Sequence, residues 1–402
     1  MSQPLSGHLL RGHHRDWQVL PAEGQLPITG RIKAGRSRPG VTRFDPRCFL
    51  DEEDVLIELA LLGMERIAPV YRLGPDGTRV HGFIEGEPLS AVRPPGTPLS
   101  GTELDQLGAL FGELAAIPPA AMALVHRCPV PARPRTSREF LRVLVRFTRR
   151  RVYARHRRAL GGLFQTLGVD PDVLSVTGPL ARDAARMTNR PFCLLHGDLH
   201  RDNLIVAESD GRLWTIDWEL AMVGDPLYDL ATHLHLMDYP ERQQQAMVLR
   251  WATAVEERLP GGAEGLPRDL PRYLAYKRVQ SVFTDVIRQA VAVREAPAGQ
   301  LAERLTTAGV MVSRALGRAE RPLGLGRVPS PGVVEGVYAA FSAGAPTPAG
   351  LAPVPPEVPP GHLGAPGAVP APPAAAAGRA GPGATRRGGP AAASRRGRSG
   401  TG

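Results

Sequence analysis

Lysine is almost missing from this chain of 402 residues: Lys33 and Lys277 are the only two, and asparagine is equally rare, at Asn189 and Asn203. Basic charge is carried almost wholly by arginine, so a lysine or asparagine that persists is more often than usual there for a chemical reason. Cysteine is scarce too. Cys48, Cys128 and Cys193 lie far apart and form no CxxC pair, which argues against a disulfide framework or zinc site and fits a reducing compartment. No run of 18 apolar residues occurs, so no membrane span is expected. The opening residues, MSQPLSGHLLRGHH, hold no apolar stretch long enough for a signal peptide. A cytoplasmic protein is the expectation.

What is present is ordinary for a globular protein: 43% hydrophobic and 22% charged residues, in a length that buries one large core or two smaller ones. Glycine (45) and proline (41) are plentiful, but much of that excess lies after about residue 345. The formal charge of +10 is skewed in the same way, because six arginines from Ala345 onward face one acid, Glu357. A segment with so little apolar periodicity is expected to be disordered. Residues 346–402 carry no aromatics for base stacking, so the tail reads as a solvated appendage and nucleic acid is not the expected partner.

Ahead of the tail the pattern changes once. Residues 1–88 are strand-rich: WQVL, ITGRIKA, APVYRLG and TRVHGFI are short apolar or alternating runs separated by Gly, Pro and Asp-Gly turn signals. Between them DEEDVLIELALL predicts a helix, its acids gathered in the first turn, where the helix dipole favours them. From about 100 to 320 the pattern is helical. LDQLGALFGELAAI predicts one helix, and SREFLRVLVRFTRRRVYARHRRAL a long basic one. Met247, Trp251, Val255 and Leu259 fall four apart, and Val279, Phe283, Val286 and Ile287 form a similar apolar stripe, both read as core.

One β segment, at about 191–217, interrupts the helices. An apolar strand leads into His196-Gly197-Asp198-Leu199-His200-Arg201-Asp202-Asn203, followed by LIVA, a polar tip ending in Asp210-Gly211, then LWTI and Asp217-Trp218-Glu219. Two apolar runs flanking Asp-Gly predict a hairpin. A two-residue turn there sets position 203 opposite 218, with Asn203 and Asp217 side by side at the open end. Their amide oxygen and carboxylate are suitable ligands for Mg²⁺, which prefers hard oxygens and retains water and phosphate. Asp198 lies five residues before Asn203. The spacing H-x-D-x(4)-N followed by an Asp after a hairpin is the kinase arrangement of a base and two metal ligands, and roughly 0.002 copies of that spacing are expected by chance in such a composition. His196 and His200 are also spaced as half a zinc site, but that spacing works on a helix, and this segment follows a strand and contains Gly197.

HGDLHRDN, with IDWE and GDPLYDLA, resembles the aminoglycoside phosphotransferase and choline kinase superfamily over residues 1 to about 320. The resemblance implies an α+β, protein-kinase-like two-lobed fold. A small β-rich lobe over residues 1–88 would bind nucleotide, a larger helical lobe over 89–345 would bind the acceptor, and the tail would follow. It implies an ATP-dependent phosphotransferase moving the γ-phosphoryl group to a hydroxyl of a small molecule (an aminoglycoside-, macrolide- or choline-like acceptor, or another metabolite), with Mg²⁺ as cofactor. Asp198 becomes the catalytic base, supported by His196. Asn203 and Asp217 become the Mg²⁺ ligands, Glu219 a ligand of a second metal or of substrate, and Asp229 a prop for the loop. Lys33 is assigned to the α- and β-phosphates, with Glu52 or Glu53 as its helix partner and Glu58 behind them. Gly12 is the single glycine where the family has a glycine-rich hairpin, with Arg15 assisting. Phe83, Ile84 and Gly86 match the inter-lobe linker that meets adenine. The chain departs from the common pattern at Arg201, where many members have proline, which puts the loop's rigidity in question.

The acceptor is less legible. Cationic acceptors need clustered acids or aromatic cages, and Glu219, Asp225, Asp238, Glu241 and Asp285 are the available acids. The basic helix points the other way, toward a neutral or anionic acceptor, unless its arginines form only a solvated face. A non-catalytic kinase-like binding module is the competing reading; such modules often lack the base or a metal ligand, and here Asp198, Asn203 and Asp217 are all present.

Overall fold

The computed structural model describes residues 8–11, 15–22, 30–38, 44–49, 51–73, 77–122 and 134–344. Gly12, Cys128 and the expected disordered tail at 346–402 lie outside them.

The strand-rich opening forms a five-stranded antiparallel sheet of β1 (His8–Arg11), β2 (Arg15–Pro21), β3 (Arg31–Ser37), β4 (Val70–Leu73) and β5 (Thr78–Gly82), in the order β1-β2-β3-β5-β4. Its register sets Val19 opposite Lys33 and Lys33 opposite His81. Leu20, Ala22, Ile32 and Val80 make a small apolar core on the sheet. Helix α1 (Glu52–Leu61) packs its buried Val55, Leu56 and Leu59 into the main core. Three acids occupy its first turn, as the dipole argument requires.

Two further small sheets follow. β6 (Gly86–Pro88) pairs with the first strand of the β8 (Leu204–Ala207) and β9 (Leu213–Thr215) hairpin, while β7 (Cys193–Leu195) pairs with β10 (Met222–Gly224). Gly86 has φ +155°, and a Cβ there would meet the Val206 carbonyl oxygen at 2.1 Å. Close backbone approach to β8 therefore demands glycine at this position.

The remainder is helical: α2 (Leu89–Val92), α3 (Gly101–Ala115), α4 (Ser137–Phe147), α5 (Ala154–Thr166), α6 (Pro179–Ala185), α7 (Pro226–Met237), α8 (Glu241–Arg258), α9 (Leu266–Arg294), α10 (Leu301–Arg318), α11 (Glu320–Leu323) and α12 (Pro331–Gly344). Helix α3 is closed at its start by a reciprocal Ser100–Glu103 capping box. The two apolar stripes are core, as expected: Met247, Trp251 and Val255 on α8 and Val279, Phe283, Val286 and Ile287 on α9 are buried. The long basic helix is not uniform. A π-helical turn, Thr148–Tyr153, separates α4 from α5. There the Thr148 hydroxyl donates to the Leu144 carbonyl (3.2 Å) and meets the Tyr276 hydroxyl (3.1 Å), which diverts the helical hydrogen-bond ladder. An N-terminal antiparallel sheet with one helix, followed by a larger helical portion, is the two-lobed kinase-like architecture that the resemblance implies. Among the described residues no helix is long and apolar enough to cross a membrane.

Candidate active site between the sheet and the helical body

The segment 196–203 runs from β7 to β8 as a loop whose shape is fixed from beneath. Gly197 has φ +80°, and a Cβ there would lie 2.4 Å from the Leu220 carbonyl oxygen, so only glycine fits. Asp229, on α7, accepts from the backbone N–H groups of His196 (2.9 Å) and Gly197 (2.8 Å). Burial pushes the Asp229 carboxyl up to about 6, against the lowering effect of those two bonds. His196 is fully buried. Its Nδ1 accepts from the Asp198 N–H (3.3 Å) and its Nε2 lies 3.2 Å from the Ile216 carbonyl oxygen, which selects the neutral Nε2–H tautomer. Burial holds the ring's pKa down at about 4. His196 therefore ties the loop from beneath to the strand leading to Asp217. Arg201, also buried, donates to three carbonyl oxygens: Met237 (2.9 Å), Arg93 (2.7 Å) and Thr97 (2.8 Å). The rigidity in question at this position is thus provided by a guanidinium spanning three backbone segments.

Asp198 and Asn203 face a cavity of about 1060 Å³ between the sheet and the helical body. The Asn203 amide nitrogen donates to the Asp198 carbonyl (2.9 Å) and more loosely to its carboxylate (3.3 Å), which leaves the amide oxygen as the free acceptor. Burial raises the Asp198 carboxyl, but the neighbouring His200 imidazole first, and then His196 and the charge of Lys277, outweigh it, and the net pKa lies below the ordinary value. His200 Nε2 is 3.6 Å from that carboxylate. Burial lowers the imidazole, while Asp198, Asp202 and Asp217 raise it further, so its pKa ends above the usual value.

The hairpin carrying Asp217 is offset from the expected register. Leu204 pairs with Thr215 and Val206 with Leu213, and the Ile216 N–H donates to the Asn203 carbonyl. Position 203 therefore opposes 216, not 218. The tip is the four residues 208–211: the Gly211 N–H donates to the Ala207 carbonyl, and Gly211 takes the left-handed conformation (φ +67°) at the last tip position. A shift of two residues leaves each side chain on its original face, and Asn203 and Asp217 both line the cavity. Asp217 is itself left-handed (φ 62°), an uncommon conformation for a non-glycine residue. Burial raises its carboxyl, and the charges of Glu219, Glu52 and Asp198 add to it, up to about 8. A buried carboxylate crowded by three others is a place for a cation. Among the described residues no group of three His, Cys, Asp or Glu could hold a metal alone. The donor set instead fits a hard ion that takes its remaining ligands from phosphate and water, as Mg²⁺ does.

From the sheet side, Lys33, Trp17 and Arg15 line the same cavity. The Lys33 ammonium lies 4.3 Å over the Trp17 ring. Burial lowers its pKa, offset in part by Glu52 and Asp217. Of the two adjacent glutamates, Glu52 lines the cavity and accepts from the Trp218 N–H (3.0 Å). Glu53 turns to Arg15 (2.7 Å) and His81 (3.1 Å). Phe83, Ile84 and Gly86 line the cavity where the chain crosses from β5 to β6. Arg31 stacks on Phe83 (4.2 Å) and pairs with Glu85. Glu219 lines the cavity too, with its carboxylate 2.6 Å from Arg47.

The model of the phosphotransferase enzyme family (APH) matches residues 47–267, more than half of the chain. The chain belongs to this family. No curated protein matches it by sequence. Solved structures that resemble it include a Plasmodium vivax ethanolamine kinase (12% identity, 79% of this chain and 82% of that chain, TM-score 0.46). The choline kinase LicA from Streptococcus pneumoniae matches at 15% identity (79% and 94%, TM-score 0.42). A thermostable mutant of the aminoglycoside phosphotransferase APH(4)-Ia, in ternary complex with ADP and hygromycin B, matches at 17% identity (80% and 94%, TM-score 0.43).

Some acids considered for the acceptor of this phosphotransferase are committed elsewhere. Asp225 is fully buried, held bidentately by Arg190 (2.9 Å for both bonds) and by the Tyr273 hydroxyl (2.8 Å), and caps α7 by accepting from the Leu227 N–H. Asp238 pairs with Arg314 and Arg318. Glu241 is exposed in the first turn of α8 and does not line the cavity. Only Glu219 and Asp285 line it. None of the arginines of α4 and α5 lines it either, so the basic helix does not bear on the acceptor. Several cavity residues were missed in the sequence, His200 and Trp17 among those nearest the proposed machinery. His200 registers there only as a failed zinc half-site, and Trp17 only as part of a strand.

Proposed function

We propose that this phosphotransferase moves the γ-phosphoryl group of ATP to a hydroxyl of a small molecule. The reading is carried by one observation: Asp198, Asn203 and Asp217 from the loop and hairpin line a single cavity with Lys33 and Glu52 from the sheet lobe. Asp198 is the base. Its lowered pKa keeps it ionised at neutral pH, ready to orient the acceptor hydroxyl and take its proton as the new oxygen–phosphorus bond forms and ADP leaves. Asn203, through its free amide oxygen, and Asp217 are the ligands for Mg²⁺, which when bound offsets the charge of the nucleotide phosphates. Lys33 serves the α- and β-phosphates, with Glu52 as the nearby negative charge that keeps it protonated. Adenine lies against Phe83, Ile84 and Trp17, and Gly86 allows the linker to approach β8. His196 and Arg201 position the loop and do not touch substrate.

A nucleotide-binding titration tests the metal assignment. ADP affinity in the wild type is expected to fall at least about tenfold when Mg²⁺ is chelated. In Asp217→Asn the Mg²⁺ dependence is expected to be largely gone. Equal Mg²⁺ dependence in the two proteins removes Asp217 from the metal site.

A further inference from the structure

One of the two lysines is left over from the proposal above. Lys277, on α9, is 7% exposed and lines the end of the cavity away from the sheet lobe, together with His235 from α7 and Ser281, Asp285 and Arg288 from the same face of α9. Its only close partner among the described residues is the Tyr228 ring, 5.5 Å from the ammonium. No carboxylate among the described residues reaches it at ion-pair distance, although Asp198 and Asp229 lie near enough to feel its charge. A buried ammonium without a counter-ion is costly unless something supplies one. The other charged groups at this end already have ion-pair or hydrogen-bond partners, that of Asp45 being a neutral amide. Asp285 accepts from the Ser281 hydroxyl (2.9 Å) and faces Arg288 (3.8 Å), Asp45 accepts from the Gln280 amide, and Arg318 pairs with Asp238.

Three cations act on His235 at this end. Burial first, then the charges of Lys277, Arg318 and Arg278, hold the His235 imidazole down at about 3. A cationic acceptor would need unpaired acids or an aromatic cage here. The aromatic ring on this side, Phe44, is covered by Arg288 at 4.8 Å.

We propose that Lys277 is the counter-ion for an acidic group on the acceptor, a carboxylate or a phosphate, so that the molecule phosphorylated is a hydroxylated acid and not an amine. The inference rests on the phosphotransferase reading of the cavity and adds the charge class of its second substrate. An acidic group held at Lys277 anchors the far end of the acceptor while a hydroxyl nearer the loop meets Asp198. The ammonium gains the partner that the fold withholds from it.

Calorimetric titration with four hydroxylated probes of similar size, on the full chain saturated with ADP and Mg²⁺, tests this. The probes are gluconate, glucose 6-phosphate, sorbitol and glucosamine. The wild type is expected to bind at least one of the two acids more tightly than sorbitol and glucosamine, and the choice between carboxylate and phosphate follows from which acid binds. Lys277→Met keeps the apolar stem over Tyr228 and is expected to weaken the acid about 10- to 100-fold, the loss of one charge-assisted contact. Lys277→Arg is expected to recover part of that loss. A merely structural Lys277 would lower ADP and probe affinities together and would not single out the acids. If ADP and Mg²⁺ bind but glucosamine matches or exceeds the acids, or neither acid binds, the inference fails while the phosphotransferase reading stands. If ADP does not bind at all, the phosphotransferase reading fails and the inference falls with it.

Discussion

Arg201 shows how a single side chain can take over the work of backbone stiffness. The resemblance leads one to expect proline here, which restricts the chain by fixing φ. Arginine instead bridges α7, the end of α2 and the turn before α3 through three carbonyl bonds. Burial lowers its pKa, opposed by Tyr239, Asp238 and Glu103, yet a guanidinium remains charged at any working pH. Arg201→Leu removes all three donors and is expected to destabilise the protein by about 3 kcal/mol, read from urea unfolding. A change below about 0.5 kcal/mol would mean that the three bonds hold nothing. At this same scale, rarity in the sequence was a partial guide. Asn203 was legible from its spacing to Asp198. Lys277 was visible as one of two lysines but had no readable role, because its neighbours in the cavity come from segments far along the chain.

At the scale of elements, the loop is held in a shape that only glycine allows. Gly197→Ala places a methyl group against the Leu220 carbonyl at a left-handed φ, a strain of about 1–3 kcal/mol. It is expected to move Asp198 by a fraction of an ångström to an ångström and to slow transfer about 10²-fold, with ADP affinity nearly intact. Parallel losses in ADP affinity and rate would point to a wider collapse. Much of the element plan was legible beforehand: four of the strands of the first sheet, α1 with its acidic first turn, and the apolar stripes of α8 and α9. Three features were not, each for a physical reason. The hairpin register depended on Gly211 taking the last tip position in place of the second residue of a two-residue turn. The π-helical turn in the basic helix sets Thr148 against Tyr276, a contact more than 120 residues away in sequence. Which of Glu52 and Glu53 lines the cavity turns on tertiary partners that spacing does not reveal: His81 engages Glu53, while Arg15 reaches both.

For the whole molecule, buried neutral histidines couple stability to pH. His233 is fully buried on α7, with Nδ1 2.9 Å from the Leu199 carbonyl oxygen and Nε2 2.8 Å from the Tyr239 hydroxyl. The carbonyl can only accept, so Nδ1 carries the proton and Nε2 accepts from the hydroxyl. Protonation would remove that acceptor, and burial holds the pKa down at about 4. Because the folded value lies below the unfolded one, the stability from this group is complete above about pH 6.5 and is lost as pH falls toward 4, on the order of 3 kcal/mol. His196, also near 4, adds to the same slope. Denaturant unfolding is expected to show a smaller acid-side loss in His233→Gln than in the wild type between pH 7 and 4, the raised carboxyls of Asp217 and Asp229 pulling the other way in both proteins. A profile equally steep in the variant would show that this histidine is not part of the acid response.

The base assignment is tested most directly by comparing wild type with Asp198→Asn in an ADP-release assay with Mg²⁺, ATP and a panel of hydroxylated acceptors. ADP affinity is measured in parallel on both proteins. The expected result is acceptor-dependent ADP release in the wild type, a fall of about 10²- to 10⁴-fold in the variant, and ADP affinity within a few-fold. Equal acceptor-dependent turnover in the two proteins would contradict the assignment of Asp198 and the reading of the cavity built around it.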